Sequence, residues 1–194
     1  YPIGPHMTAE EIADIIDGLV PSNTYNGVLT TVPFNKSIMV LYYNADLIPN
    51  PPTTWGEFYD LAKALTVDLD GDGKIDRYGT ALRPAANPEQ FLVFLDQAGG
   101  SILNDDWTAV TLCEEPGITA VEFCGRLIPY TFVTAEYISD HMGKVAMFID
   151  TSAGYPYNSK AATNAGYTLG VAMLPAGPVN RSSMIQGTNL AVFN

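Results

Sequence analysis

The sequence predicts an α/β protein, because short apolar strands alternate along the chain with capped, amphipathic helices. Of the 194 residues, 47% are hydrophobic and only 15% are charged, a composition typical of a compact globular chain and unlike a disordered one. No apolar run approaches the roughly 20 residues that a membrane-spanning helix requires. We therefore expect helices packed against a sheet.

The first predicted elements are a helix and two strands. Thr8-Ala9-Glu10-Glu11 has the form of a capping box, and apolar residues follow it at helical spacing, which predicts a helix over residues 8–19. Residues 28–34 and 38–43 are predicted to be strands. The second of these is so apolar that we expect both of its faces to be buried.

Two further helices are marked by their caps. The first begins at Thr54-Trp55-Gly56-Glu57. It is followed by an acidic, glycine-rich loop at 68–76 and by a short strand at 78–82. Asn87 is expected to cap the next helix, with Pro88 in its first position and Gly99-Gly100 at its end. The expected inner faces are Trp55, Phe58, Leu61, Ala62 and Leu65 for the first helix, and Phe91, Leu92, Phe94, Leu95 and Ala98 for the second.

The remaining elements are a helix at about 116–128, strands at 145–149 and 168–174, and a short Ala-rich helix between those strands. The helix is expected to bury Ile118, Val121, Leu127 and Ile128. The chain has two cysteines, Cys113 and Cys124. A disulfide between them fits an oxidising compartment, but two buried free thiols are the favoured interpretation.

The charge balance excludes one class of partner. The chain has 21 acidic and 9 basic residues, so its formal net charge is −12. A surface this acidic repels phosphate backbones, and we expect no nucleic-acid partner.

Several short phrases occur in a fixed order along the chain. They are Val32-Pro33-Phe34-Asn35-Lys36-Ser37, Leu41-Tyr42-Tyr43-Asn44-Ala45-Asp46-Leu47, Pro52-Thr53-Thr54-Trp55, Gln97-Ala98-Gly99-Gly100, Gly143-Lys144-Val145-Ala146-Met147, Gly170-Val171-Ala172-Met173-Leu174-Pro175 and Gly187-Thr188-Asn189-Leu190-Ala191. In this order they resemble the extracellular solute-binding proteins of ABC importers. The branch that binds sugars, oligosaccharides and glycerol phosphates is the most similar.

The resemblance implies a periplasmic-binding-protein-like fold of type II, with two α/β lobes joined by crossing strands. Members of the family are longer, so we expect a central fragment: most of one lobe plus pieces of the other. Residues 1–37 and 178–194 then belong to the first lobe and 44–173 to the second, with hinge crossings at 38–43 and 174–177.

The implied function is binding without turnover. The resemblance implies a protein that captures a sugar, or a sugar-like solute such as glycerol phosphate, in a cleft between the lobes. It also implies permease subunits of an ABC importer as partners, and a periplasmic or extracellular location with lipid anchoring at the membrane surface left open.

A sugar site needs polar side chains that bond hydroxyls and aromatic faces that cover the ring. In the first lobe the resemblance places Asn35 and Ser37 at the cleft edge, although 35–37 could also be a polar turn between strands. Gly187 and Asn189 are similar candidates, with strand packing as the alternative role for the glycine.

In the second lobe the candidates follow a predicted strand. Small residues at the carboxyl end of a strand are typical of ligand sites in open α/β sheets, so Ser152 is the favoured hydroxyl for the solute. Tyr155 is a candidate to stack on the sugar ring, and Tyr157 is a weaker one. The resemblance adds Asn87 and Glu89, together with Arg83. Trp55 is expected to be a core residue, and Trp107 the tip of a hairpin.

The acidic loop has the ligand spacing of an EF-hand calcium loop. Oxygen ligands would come from Asp68, Asp70, Asp72 and Asp76 and from the Lys74 carbonyl, with Gly73 at the turn. Position 12 is Gly79 instead of the bidentate Glu, so an unmetallated Asp-Gly turn is an equal alternative to structural Ca²⁺.

Signals for catalysis are weak. The two histidines, His6 and His141, are far apart, and neither lies near a nucleophile motif. The enzyme alternative is a calcium-dependent carbohydrate-active hydrolase with paired carboxylates such as Glu89 and Asp150, which no spacing supports. An adhesion module of the dockerin kind would carry two calcium loops, and this chain has one.

Overall fold

The computed structural model describes residues 2–83 and 88–193. The chain divides into two compact units, Tyr1–Ser37 with Ile185–Asn194, and Ile38–Met184. Both predicted hinge crossings, and residues 178–184, lie within the larger unit. The assignment of segments to lobes and hinge stays a prediction.

The smaller unit contains one short helix and several strands. Helix α1 spans Ala9–Ala13, strands β1 (Thr24–Tyr25) and β2 (Val28–Leu29) form a hairpin, and strand β3 (Thr31–Asn44) begins here. Asn26 and Gly27 turn the hairpin with φ of 49° and 77°, the positive values that a two-residue primed turn needs.

The predicted capping box is confirmed, but the helix is shorter than the predicted 8–19. Thr8 Oγ1 accepts from the Glu11 amide at 3.2 Å, and the Glu11 carboxylate accepts from the Thr8 amide at 2.8 Å. Helix α1 ends at Ala13, and Ile16 has non-helical angles, φ −53° and ψ 125°. Aspartates and a glycine over 14–18 are poor helix formers, which explains the early end.

The sheet of the larger unit is built around β3. Strand β6 (Met147–Thr151) and strand β7 (Leu169–Ala172) pair antiparallel with its two sides. The predicted strands 28–34 and 38–43 were therefore drawn wrongly, because residues 31–44 form one continuous strand. Burial of both faces is confirmed for its centre, Met39 to Tyr42.

A second pair of strands forms its own two-stranded sheet, which backbone hydrogen bonds connect to the segment before β6. Strand β4 (Thr80–Leu82) runs parallel to strand β5 (Thr131–Val133), which the sequence analysis did not predict. Tyr78, just before β4, exchanges backbone hydrogen bonds of 2.9 Å with Lys144 and Ala146, just before β6. The unpredicted strand β8 (Ile185–Ala191) pairs with β3.

Four helices of the larger unit match predicted ones. They are α2 (Trp55–Ala64), α3 (Glu89–Gln97), α4 (Glu115–Leu127) and α5 (Tyr155–Asn164). Thr54 caps α2 by accepting from the Glu57 amide at 3.2 Å, as predicted. Pro88 stands at the N-cap of α3 and not in its first helical position, and Asn87 lies outside the described residues.

The predicted inner face of α4 was wrong. Leu127 is buried, but Ile118, Val121 and Ile128 are 45%, 56% and 53% exposed. The buried face instead consists of Gly117, Ala120, Phe123 and Leu127. A Cβ at Gly117 would lie 2.0 Å from the Leu112 carbonyl oxygen, so close backbone packing selects a small residue there and overrides the apolar periodicity.

Successive residues of β3 enter two different cores. Met39 and Leu41 pack with helices α2, α3 and α4, while Val40 and Tyr42 pack with Phe148 and the 3₁₀ segment Ile138–Lys144. Alternate side chains of a strand point to opposite faces, so one buried strand serves both layers.

The core interpretation of Trp55 is confirmed. Its ring stacks on Phe123 with centroids 4.2 Å apart, and its Nε1 donates to Gln97 Oε1 at 2.7 Å. Trp107 is 82% exposed with φ 59°, at the tip of a turn closed by the Leu103–Val110 bridge, as predicted. Both cysteines are free, but Cys113 is exposed, so the prediction that both are buried was wrong.

Candidate functional site

Three strands of the larger unit end at one edge of the sheet. Strands β4 and β5 are parallel, and the segments leading into β4 and β6 pair in parallel through Tyr78 and Val145. Their carboxyl ends are therefore adjacent, which is where open α/β sheets bind ligands. We call this edge the carboxyl edge and define it by Arg83, Tyr137, Asp150 and Ser152, with Glu89 at the start of α3.

Gln90 holds the carboxyl edge together. Its Oε1 accepts from the Arg83 amide at 3.0 Å, and its Nε2 donates to the Ile149 carbonyl at 2.7 Å. The side chain is only 3% exposed. Because both ends of its amide are used, Gln90 fixes the end of β4 against the end of β6.

Asp150 is the partly buried carboxylate of this edge. Burial raises its pKa, the Thr151 amide that donates to Oδ1 at 2.7 Å opposes the rise, and so does the positive charge of Arg83. The negative charge of Glu89 adds to the rise. Glu89 and Asp150, the pair named for the hydrolase alternative without support from their spacing, are thus electrostatic neighbours.

Ser152 lies in the turn that follows β6. Its Oγ accepts from the Ile38 amide at 3.2 Å, and the Tyr42 hydroxyl donates to the Thr151 carbonyl at 3.0 Å. Burial raises the pKa of Tyr42 to about 12, so this hydroxyl remains a donor. Since its oxygen accepts from Ile38, the Ser152 hydroxyl hydrogen remains available to donate.

The two candidate tyrosines lie on α5, and both are exposed. Tyr155 is 50% exposed and Tyr157 is 75% exposed. Tyr155 also lines a polar groove of about 450 Å³ within the larger unit. The other groove residues are Asp46, Ser159, Thr163, Gly166, Tyr167, Thr168 and Leu169.

The candidates of the smaller unit join two strands. Asn35 Oδ1 accepts from the Thr188 amide at 3.0 Å, and Lys36 Nζ donates to Asn189 Oδ1 at 2.7 Å. Residues 35–37 lie in β3 and not in a turn. Ser37 is half-buried and has interactions of its own.

Gly187 is required for strand packing. Its φ is 148°, and a Cβ there would lie 2.0 Å from the Asn35 carbonyl oxygen. The close approach of the two strands is therefore sufficient reason for glycine. Among the remaining candidates, Glu89 is half-buried at the start of α3, and Asn87 is outside the described residues.

The acidic loop brings three carboxylates together. Oxygens of Asp68, Asp70 and Asp76 lie within 4.8 Å of one another. Asp72 instead pairs with Lys74 at 2.8 Å. Calcium at this loop stays a prediction.

Backbone amides shape the same loop. The amides of Gly73 and Gly71 donate to Asp68 at 2.8 and 2.7 Å and hold its pKa below the usual value. Gly73 has φ 87°, the sharp turn expected at position 6.

Sequence reasoning missed Gln90 and Tyr137 as site residues. Tyr137 is 67% exposed, and the Arg83 guanidinium carbon lies 4.7 Å from its ring centroid. The sequence signal for Tyr137 was weak. Strand β5 is only three residues long and was not predicted, so nothing indicated that Tyr137 follows the end of a strand.

The sequence profile of one family matches residues 2–194, and its description is "bacterial extracellular solute-binding protein". The chain belongs to this family, which confirms the resemblance and the extracellular class. Within the described residues no helix is both long and apolar enough to cross a bilayer.

Solved structures confirm the α/β, periplasmic-binding-protein-like fold. A solute-binding protein of Thermotoga lettingae TMO, bound with α-D-tagatose, is 24% identical with a TM-score of 0.80, over 99% of this chain and 53% of that chain. The GacH receptor of Streptomyces glaucescens GLA.O, in complex with acarbose, is 25% identical with a TM-score of 0.77, over 99% and 51%.

A third similar structure binds a sugar alcohol. The solute-binding protein of Agrobacterium radiobacter K84, in complex with ribitol, is 25% identical with a TM-score of 0.75, over 94% of this chain and 49% of that chain. The chain thus spans about half the length of the solved structures that it matches.

Proposed function

We propose that this chain is part of the solute-binding component of an ABC import system, and that the solute is a neutral sugar or sugar alcohol. The family match over residues 2–194 carries the proposal. The permease subunits of the importer would be its partners. The position of the solute in an interlobe cleft stays a prediction from the resemblance, as does the lipid anchor.

The chemistry of the carboxyl edge supports a polyhydroxylated solute. Asp150 and Glu89 offer carboxylate acceptors, and Ser152 offers a hydroxyl donor. Sugar hydroxyls both donate and accept, so a set of acceptors and donors at one edge suits them.

The charges of this edge disfavour a phosphorylated solute. Asp150 interacts electrostatically with Arg83 and with Glu89, so these three charged groups of the carboxyl edge sum to −1. A phosphate group would meet two carboxylates there, and like charges at close range are unfavourable. Glycerol phosphate therefore fits this edge less well than a neutral sugar.

A ligand panel tests the proposal on the full chain. D-tagatose, maltose, maltotriose, ribitol and glycerol 3-phosphate would be compared by thermal shift and titration calorimetry. A neutral probe at about a hundred times its Kd should add about 2.7 kcal/mol of stability. Binding of glycerol 3-phosphate with no neutral probe would contradict the neutral-solute proposal.

Ser152→Ala should weaken binding of the neutral probe by about 1–3 kcal/mol, because a desolvated solute hydroxyl loses its partner. Ser101→Ala is the matched control, since Ser101 lies in an exposed loop of the same unit and bonds only its own segment. Equal affinities of the two variants for the neutral probe would show that Ser152 does not contact the solute.

Binding without turnover is part of the proposal. The raised pKa of Asp150 and the nearness of Glu89 are the features that a glycosidase would also show. Hydrolysis of maltotriose by the purified full chain would contradict the binding-only function. Loss of that hydrolysis in Asp150→Asn would then assign it to this carboxyl pair.

We also propose that the acidic loop holds a structural calcium ion. The convergent carboxylates of Asp68, Asp70 and Asp76 support it, as does the turn at Gly73. The loop connects α2 to β4, so the ion would stabilise that connection and take no part in catalysis.

A further inference from the structure

Tyr137 is an exposed ring at the carboxyl edge. It follows β5 and is the N-cap residue of the 3₁₀ segment Ile138–Lys144. The residue is 67% exposed although Arg83 covers one face of the ring at 4.7 Å. The opposite face is therefore open to solvent.

Arg83 forms no salt bridge within the described residues, although its positive charge acts on Asp150. Within residues 2–83 and 88–193, the salt bridges join Lys74 to Asp72 and His141 to Glu136, and none involves Arg83. Arg83 Nε is buried without a hydrogen-bond partner in this part of the chain, and Nη2 donates at 3.5 Å to the Ala135 carbonyl. Beside this long bond, the guanidinium contacts the Tyr137 ring directly.

The Arg83 backbone is fixed as well. Its amide donates to the buried Gln90, which is anchored in turn to the Ile149 carbonyl. A guanidinium over an aromatic ring is attracted by the electrons of the ring face. The pair therefore holds the Tyr137 ring in one orientation before any ligand arrives.

Arg83 connects the two components of a sugar site, because it contacts the open ring of Tyr137 and its charge acts on the Asp150 carboxylate. The ring face covers the apolar C–H face of a pyranose or furanose, which removes apolar surface from water. Asp150 interacts electrostatically with Arg83 and with Glu89, and the two carboxylates can accept from the hydroxyls at the rim of the sugar ring. Since the ring is already ordered, little side-chain entropy is lost on binding.

We infer that Tyr137, held by Arg83, is the stacking platform for a neutral sugar ring, and that Asp150 and Glu89 accept hydrogen bonds from its hydroxyls. This inference rests on the proposed solute-binding function. It assigns the ring contact to a residue that follows β5, whereas the sequence pointed to Tyr155 on α5.

The test uses the full chain and the neutral probe of the panel that binds the wild type. Tyr137→Ala should raise the Kd by about tenfold or more, since one ring contact of about 1.4 kcal/mol corresponds to a factor of ten. Tyr137→Phe should stay within about threefold of wild type, because the ring face and not the hydroxyl makes the contact.

Trp107→Ala is the matched control, because Trp107 is an aromatic of the same unit with 82% exposure. Its Kd should equal that of the wild type. Melting temperatures of all variants distinguish a binding role of Tyr137 from a purely structural one. A purely structural role would lower the melting temperature of Tyr137→Ala and leave its Kd unchanged.

Two outcomes distinguish this inference from the proposed function. If the wild type binds a neutral probe and Tyr137→Ala binds it equally well, the inference is overturned and the function stands. If the wild type binds no probe of the panel, the proposed function fails, and the inference fails with it. A Tyr137→Phe variant as weak as Tyr137→Ala would also overturn the stacking role.

Discussion

At the scale of single residues, Asp150 makes the folding stability depend on pH. Burial raises the pKa of Asp150, so the folded protein holds this proton more tightly than the unfolded chain does. The stability gained from the proton is complete below the unfolded pKa of about 3.9, and it is lost as the pH rises through the folded pKa.

Asp150→Asn should therefore melt at a higher temperature than the wild type at neutral pH. Its side-chain oxygen can still accept from the Thr151 amide, while the cost of a buried charge is removed. The advantage should shrink as the pH falls through the folded pKa and vanish below the unfolded pKa of about 3.9, where Asp150 becomes protonated in both states. Thermal unfolding of both proteins across this range checks it, with exposed Asp105→Asn as control.

Some site residues could be read from the sequence, and others depend on the tertiary structure. Ser152 was identifiable because small residues directly follow an apolar strand. Gln90 and Tyr137 reach the carboxyl edge only because β4 and β5 pair in parallel. Their positions in the sequence do not indicate this pairing. Trp55 was correctly assigned to the core because a helix cap precedes it.

At the scale of elements, two glycines of α4 have opposite roles. A Cβ at Gly117 would lie 2.0 Å from the Leu112 carbonyl oxygen, whereas one at Gly125 would meet nothing within 4 Å. Gly125→Ala should therefore stabilise the protein by about 0.5–1 kcal/mol, because alanine loses less backbone entropy in a helix.

Gly117→Ala should destabilise the protein, by about 1–3 kcal/mol, since the backbone next to it must move. Urea unfolding of the two variants against wild type measures both effects on the same helix. The packing described for α4 would be contradicted by equal stability changes of the same sign.

The acidic loop gives a second prediction at this scale. Calcium added to chelator-treated protein should raise the melting temperature, by the equivalent of about 2.7 kcal/mol at a hundredfold excess over Kd. Asp70→Ala should abolish the rise, and the exposed Asp105→Ala, which lies in a different loop, should keep it. A melting curve that calcium leaves unchanged would favour the plain Asp-Gly turn.

Element existence was easier to predict than element faces. The caps at Thr8 and Thr54 are local hydrogen bonds, so their sequence signals predicted them correctly. The buried face of α4 includes Gly117, which the Leu112 backbone approaches closely, and periodicity alone pointed elsewhere. A polar turn at 35–37 was the alternative to a place at the cleft edge, and it is wrong because these residues lie within β3.

At the scale of the whole molecule, burial is unevenly distributed. The smaller unit contributes only Ile15 and Leu19 to the buried hydrophobic residues of the described chain. The centre of β3, residues 39–42, is buried and is paired on both sides. Local opening costs least free energy where few apolar contacts are lost.

Amide hydrogen exchange should therefore be slowest at residues 39–42 and 147–149, and faster in α1 and in the β1–β2 hairpin. The difference can be read peptide by peptide by mass spectrometry. Equal protection in these segments would show that the smaller unit does not open independently.

The fold class followed from physical pattern, but the family did not. Alternating strands and caps are enough for an α/β assignment, because each is a local signal. The two-lobed family assignment came from the order of short phrases such as 32–37 and 187–191, which no propensity or periodicity would produce.

The environments of Trp55 and Trp107 have an optical consequence. Trp55 stacks on Phe123, meets Phe94 edge to face and bonds Gln97 through its indole N–H, whereas Trp107 is 82% exposed. Iodide should quench the emission of Trp107 and spare that of Trp55. In a Trp107→Phe protein the remaining emission should come from a shielded indole and shift to longer wavelength only when the α2–α4 core opens, so this chain carries its own fluorescent reporter of that core.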